Sequence, residues 1–188
     1  MSTAPSDDFV SRAGHKLAHA LDAFGIDPKG LVCADLGSNA GGFVDCLLKR
    51  GATRVYAVER GYGVLDFSLR RDPRVVSLER TDARRVTLPE PVDLVTIDAG
   101  WTRQAEILPA ARRLLKPGGI IISLIKPQYE AQPHELVDGV VPDEAVASIL
   151  AAVRSQLATI QLLLKSEVES PILGHGGNRE WLWLIQNK

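Results

Sequence analysis

The chain is 188 residues long, 45% apolar and 24% charged, with a formal net charge of −1. That length suits one domain with a substantial core and is short for two. The start, "MSTAPSDDF", lacks the apolar core of a signal peptide, and no apolar run is long enough to span a bilayer, so a cytoplasmic protein without a membrane partner is expected. Near-zero charge does not announce a nucleic-acid binder, yet the charge is uneven: residues 49–85 carry ten basic and five acidic side chains, and residues 127–170 carry two and seven.

Residues 1–8 read as a disordered lead-in to a single domain over 9–188. Val10, Ala13, Leu17, Ala20, Leu21 and Phe24 recur at helical spacing and predict an amphipathic helix ending near Gly25. Apolar strands then alternate with helical patterns. Strands are expected at 31–36, 54–59, 74–79, 92–98 and 119–126, with helices at 41–51, 65–71 and 103–115, the last despite Pro109. A long helix is expected over 143–163, followed by strands at 165–170 and 180–186. The polar stretch 127–142 reads as an irregular flap, with Pro127 ending regular structure. Such alternation predicts an α/β protein, a mostly parallel seven-stranded sheet with helices on both faces. The final connection is too short for a crossover, so the last strand must run antiparallel. Cys33 and Cys46 fall in predicted core elements and read as small buried hydrophobes. His15, His19, His134 and His175 are scattered, and no metal site is expected.

"DLGSNAGGF" lies between the first strand and its helix, where a glycine turn lets backbone N–H groups approach a ligand at the carboxyl edge of the sheet. Asp35, Gly37, Gly41 and Gly42, with Ser38 and Phe43 among them, give a D-x-G-x-x-x-G-G pattern rather than the dinucleotide G-x-G-x-x-G. The pattern is similar to the cofactor loop of S-adenosylmethionine-dependent methyltransferases. Glu59 ends the second strand, where a carboxylate suits ribose hydroxyls; an NAD-type pocket would use the same acid with a different loop. Asp82 follows the third strand, placed for an adenine amino group, and Asp98 ends the fourth. Any one of these acids alone could be a solvated strand end; their coincidence with the loop points to a pocket.

Lys126 closes the fifth strand, beside Asp98 in the predicted sheet, where an ammonium has little reason to be unless it has a task. Lys16 lies on the first helix and Glu180 at the start of the last strand. Taken singly, Lys16 also reads as a polar-face helix residue, Asp98 as a turn residue, and Glu180 as a partner of Arg179. Five segments, "VSRAGHKL", "DLGSNAGGF", "YAVERGYG", "IKPQYEA" and "GNREWL", give the chain a resemblance to the FtsJ-like RNA ribose methyltransferases. It resembles most closely the methyltransferase domain of the TlyA (haemolysin A) group. That resemblance implies a Rossmann-like class I methyltransferase fold, S-adenosylmethionine as cofactor, and as acceptor a ribose 2′-hydroxyl of RNA, in ribosomal RNA or a ribosomal subunit. It also implies a catalytic tetrad of Lys16, Asp98, Lys126 and Glu180. On this reading Lys126 is the general base, its pKa lowered by repulsion from Lys16, while Asp98 and Glu180 orient the two ammonium groups. The chain departs from the group at "AGWTRQ" after Asp98 and has no counterpart of the group's small amino-terminal RNA-binding domain. A small-molecule or protein methyltransferase is the alternative reading, and a binding protein without turnover a third.

Overall fold

The computed structural model describes residues 8–188, so the expected lead-in lies outside the described residues except for Asp8. Seven strands build one sheet: β1 (Val32–Leu36), β2 (Arg54–Val58), β3 (Val75–Leu78), β4 (Val92–Ile97), β5 (Leu115–Ile125), β6 (Leu162–Glu169) and β7 (Trp181–Asn187). Their order is β3-β2-β1-β4-β5-β7-β6. The first five pair in parallel, and β7 inserts between β5 and β6, antiparallel to both. The helices are α1 (Ala13–Phe24), α2 (Gly42–Lys49), α3 (Phe67–Arg71), α4 (Gln104–Leu114), α5 (Pro127–Glu130) and α6 (Asp143–Thr159).

Side chains alternate across each strand, so a sheet covered on both faces must be apolar at successive positions. In β5, Ile121 and Ile125 join the core under α4 and α6, while Ile122 and Leu124 join the core under α1 and α2. In β1, Ala34 and Leu36 face the first layer and Cys33 the second. Cys33 and Cys46 are free thiols pushed up to about 12 by burial, as small buried hydrophobes should be.

Three local expectations change. Residues 162 and 163, expected at the end of the long helix, belong to β6, because α6 stops at Thr159 and Gln161 takes a left-handed φ of 57°. Pro127 does not end regular structure; it opens α5 at the first helical position, where its missing N–H costs no hydrogen bond. The stretch 127–142 holds α5, a short 3₁₀ turn and a Val137–Val140 bridge, and the Asn178 side chain pins it by accepting from Val141 N and donating to the Gly139 carbonyl.

The approach of α1 to α2 decides where Lys16 sits. A Cβ on Gly42 would fall 2.3 Å from Ser11 Oγ and 2.8 Å from Gly14 N, so the two helices meet this closely only with glycine there. Replacing Gly42 with alanine should force them apart and cost roughly 1–3 kcal/mol. Urea unfolding at neutral pH measures this, and a loss within error of zero would show that the contact can relax.

Candidate active site

The strand registers bring the charged residues together. Ile125 of β5 pairs with Trp181 of β7, so the next pair outward is Lys126 and Glu180. Ile97 and Ile125 both point into the α4/α6 core, and the alternation carried one residue further turns Asp98 and Lys126 to the α1 side. Leu182 faces that side too, and so does Glu180 two residues before it. Helix α1 covers this face and lowers Lys16 onto it.

The result is two ion pairs on one wall. Lys16 Nζ lies 2.5 Å from Glu180 Oε2, with both side chains under a tenth exposed. Lys126 Nζ lies 2.6 Å from Asp98 Oδ1, nearer the solvent. All four residues line a cleft of about 760 Å³ at the carboxyl edge of the parallel strands. Gly37, Glu59 and Asp82 line it as well.

Four N–H groups of the glycine loop are engaged within the fold: Gly37 and Ser38 both donate to the Val58 carbonyl, Asn39 to Glu59 Oε2 and Gly41 to the Ser38 carbonyl. What the loop supplies is space. Gly37, at a left-handed φ of 90°, runs so close to the end of β4 that a Cβ would lie 2.8 Å from the Asp98 carbonyl oxygen. Gly42 and Phe43 line a smaller recess with Asp35 and Ser38, whereas Gly41 lines neither cavity and leaves room for Leu65 and Leu69.

Asp35 is the strained member. It is 1% exposed; Oδ1 accepts from the Thr96 hydroxyl at 2.7 Å, and Oδ2 has no partner. Burial raises its pKa to about 7, and the nearby Asp98 and Glu59 charges add to the rise against the Thr96 and Ser38 hydrogen bonds. An unpaired buried carboxylate oxygen beside a recess is suited to a cation such as an amino acid's ammonium. Glu59 is fixed by the backbone N–H groups of Gly61 and Asn39, one on each oxygen, which leaves a lone pair on each for a diol. Asp82 is gripped by Arg84, which with the Arg84 N–H holds its pKa down at about 2. These features fit S-adenosylmethionine: a site for its ammonium, one for its ribose and an acid beyond.

One expectation is reversed. Lys126 does not have a lowered pKa. Burial pushes it down, but the charge and hydrogen bond of Asp98, helped by Glu180 and Tyr129, outweigh burial and hold it above the ordinary lysine value. Lys16 brings its own counter-charge, Glu180, to the site, and that carboxylate favours the Lys126 ammonium.

The structure adds residues that sequence reasoning passed over. Trp101 is 89% exposed at a left-handed φ of 59°, and its ring sits 5.1 Å from that of Tyr129, whose ring lies 5.6 Å from Lys126 Nζ. Gln128 lines the cleft with a buried Oε1 that has no partner. The clue was available in the aromatic and amide residues flanking Asp98 and Lys126. Among the described residues no cluster of His, Cys, Asp or Glu could hold a metal, and no helix is long and apolar enough to cross a membrane.

The family model for the FtsJ-like methyltransferases matches residues 9–185, and the chain belongs to that family. It is 42% identical over 186 residues to the 16S/23S rRNA (cytidine-2′-O)-methyltransferase TlyA of Mycobacterium tuberculosis, covering 94% of this chain and 68% of the relative. A putative hemolysin from Streptococcus thermophilus superposes with a TM-score of 0.92 at 32% identity, over 96% of this chain and 67% of that one. Fibrillarin from Aeropyrum pernix, solved with natively bound S-adenosyl-L-methionine, shares the fold at a TM-score of 0.65 and 19% identity, over 92% and 75% of the two chains.

Asp35 gives this site a pH signature. Its folded pKa is raised, so the folded state binds more protons than the unfolded chain between pH 4 and 7, and stability falls as pH rises through that window. Relative to wild type, Asp35→Asn should therefore gain stability from pH 4 to 7 and level off above, by on the order of 2–4 kcal/mol. Denaturant midpoints of the two ligand-free proteins across pH test this, and parallel curves would mean that Asp35 ionises freely.

Proposed function

We propose that this protein transfers a methyl group from S-adenosylmethionine to a ribose 2′-hydroxyl of ribosomal RNA and acts in the cytoplasm. The observation that carries the reading is the pair of lysine–carboxylate bridges on the wall of the cleft that the glycine loop and Glu59 also line. Family membership and the similarity to a named rRNA (cytidine-2′-O)-methyltransferase support it. S-adenosylmethionine would lie along Asp35, Gly37 and Glu59, with Asp82 towards its adenine, and supplies when bound a methyl group on a cationic sulfur.

The chain's own residues handle the proton. A ribose hydroxyl attacks well only as its proton leaves, so a base must stand within hydrogen-bond reach. Lys126 is that base, and it must first become neutral. Asp98 opposes this by stabilising the ammonium. A second positive charge in the cleft lowers the Lys126 pKa, which couples readiness of the base to occupancy of the cofactor site. As the hydroxyl oxygen attacks, its proton ends on Lys126, whose ammonium then regains Asp98 as its partner. Lys16, held by Glu180, faces the alkoxide charge as it develops.

Lys126→Ala should keep S-adenosylmethionine binding and lose methyl transfer by about 10²–10⁴-fold. Labelled S-adenosylmethionine given to ribosomal subunits and to naked ribosomal RNA, followed by nucleoside mapping, reads both the acceptor and the loss. Label that survives nuclease in protein or small molecules would remove RNA as the acceptor. Because Lys126 is held protonated, the single-turnover rate should climb about tenfold per pH unit over the neutral range. A flat profile there would take Lys126 out of the proton transfer.

A further inference from the structure

The edge of the sheet that carries the cleft continues past it into a surface the chemistry does not use. Between β2 and β3, Tyr62, Val64 and Phe67 stand exposed within six residues, Tyr62 at 70% and Phe67 at 64%. Arginines flank both rings: the Arg80 guanidinium lies 4.4 Å from the centre of Tyr62, and those of Arg70 and Arg71 lie 5.9 and 5.5 Å from that of Phe67. The Tyr62 turn is tied to the segment that carries Arg80, since Gly63 N donates to Glu79 Oε1 and Arg80 N to the Gly61 carbonyl. Arg80 takes a left-handed φ of 53°, a conformation that a non-glycine residue adopts only at a cost.

The charge there is real. Residues 60–85 hold seven arginines and four acids. Arg74 and Arg84 are matched by Asp72 and Asp82, but Arg70, Arg71 and Arg80 form no ion pair among the described residues. Adjacent guanidiniums repel and exposed rings gain little from water, so the fold draws from this combination only the modest attraction of exposed cation–π contacts. A single-stranded polynucleotide satisfies both features at once: its phosphates take the arginines and its bases stack on the rings. Arg60 lines the cleft two residues before Tyr62, so the turn that carries this ring leaves directly from the reaction site.

We infer that Tyr62, Phe67, Arg70, Arg71 and Arg80 form a docking surface for single-stranded RNA flanking the acceptor nucleotide. The inference rests on the RNA reading above and extends it to where the strand lies. None of these residues lines the cleft, so the surface holds RNA without touching the methyl transfer.

The test is binding of a labelled oligouridine to the protein loaded with S-adenosylmethionine, together with methylation of ribosomal RNA. Arg70→Gln with Arg71→Gln should weaken oligouridine about tenfold and reduce the salt dependence by roughly one to two ions. Phe67→Ala should weaken it by about tenfold with the salt dependence unchanged, as stacking rather than charge is lost. All three positions are exposed, and thermal melting verifies folding. In methylation assays the variants should raise KM for RNA and leave kcat and S-adenosylmethionine affinity alone. Unchanged oligouridine affinity in variants of an enzyme that still methylates RNA would overturn the surface and leave the activity standing. Competition by polyglutamate as strong as that by RNA would also overturn it, since the patch would then be a general anion site. A wild-type protein that binds oligouridine through this surface but methylates no ribosomal RNA would uphold the surface and sink the acceptor assignment.

Discussion

Lys16 and Glu180 are separated by 164 residues of chain and joined by 2.5 Å. Both are buried, and removing one partner of such a pair leaves an uncompensated charge that typically costs about 3–5 kcal/mol. The contact therefore fixes more than two side chains. It pins α1, the first helix, to the start of β7, the last strand, and so closes the two ends of the chain over one edge of the sheet. Without it the cleft would lose a wall, and the second pair, Lys126–Asp98, would face water rather than a matched neighbour.

That closure places opposite electrostatic demands side by side. Lys126 is half-buried yet held charged, because its carboxylate partner outweighs its desolvation. Asp35 is buried with one oxygen unpaired and drifts towards the neutral form, because hydroxyl donors do not make up for burial and nearby acids. A cation entering the cleft changes both in a useful sense: it stabilises ionised Asp35 and eases proton loss from Lys126. The site is thus poised for a positively charged ligand, which is a more specific property than the presence of a pocket.

Outside the cleft, the exposed aromatics divide into two groups. Trp101 and Tyr129 stack at the mouth, next to Lys126, while Tyr62 and Phe67 stand with arginines further along the β2–β3 side. The near-zero net charge conceals this, since the arginines cluster in one third of the chain and the acids that offset them lie mostly elsewhere.

Much of this was legible in the residue order. Alternating apolar strands and amphipathic helices dictated the parallel sheet, and the short link before Trp181 dictated the antiparallel last strand, because period and connection length are local properties. A lysine ending an apolar strand was visible as an anomaly. Where local signals were ambiguous the reading slipped: Leu162 and Leu163 continue an apolar run that suits a helix or a buried strand equally, and only pairing with β7 decided for strand. Charge state was not legible at all. Lys16 stands near Lys126 in function but is neutralised by Glu180, and Asp98 raises the lysine that the sequence reading expected to be lowered. A pKa depends on which groups lie within a few ångströms and how much water remains, and both are set by strand register and helix packing. The sequence by itself determined the elements, the sheet and the candidates; the tertiary structure decided which charges meet, and so which proton is held.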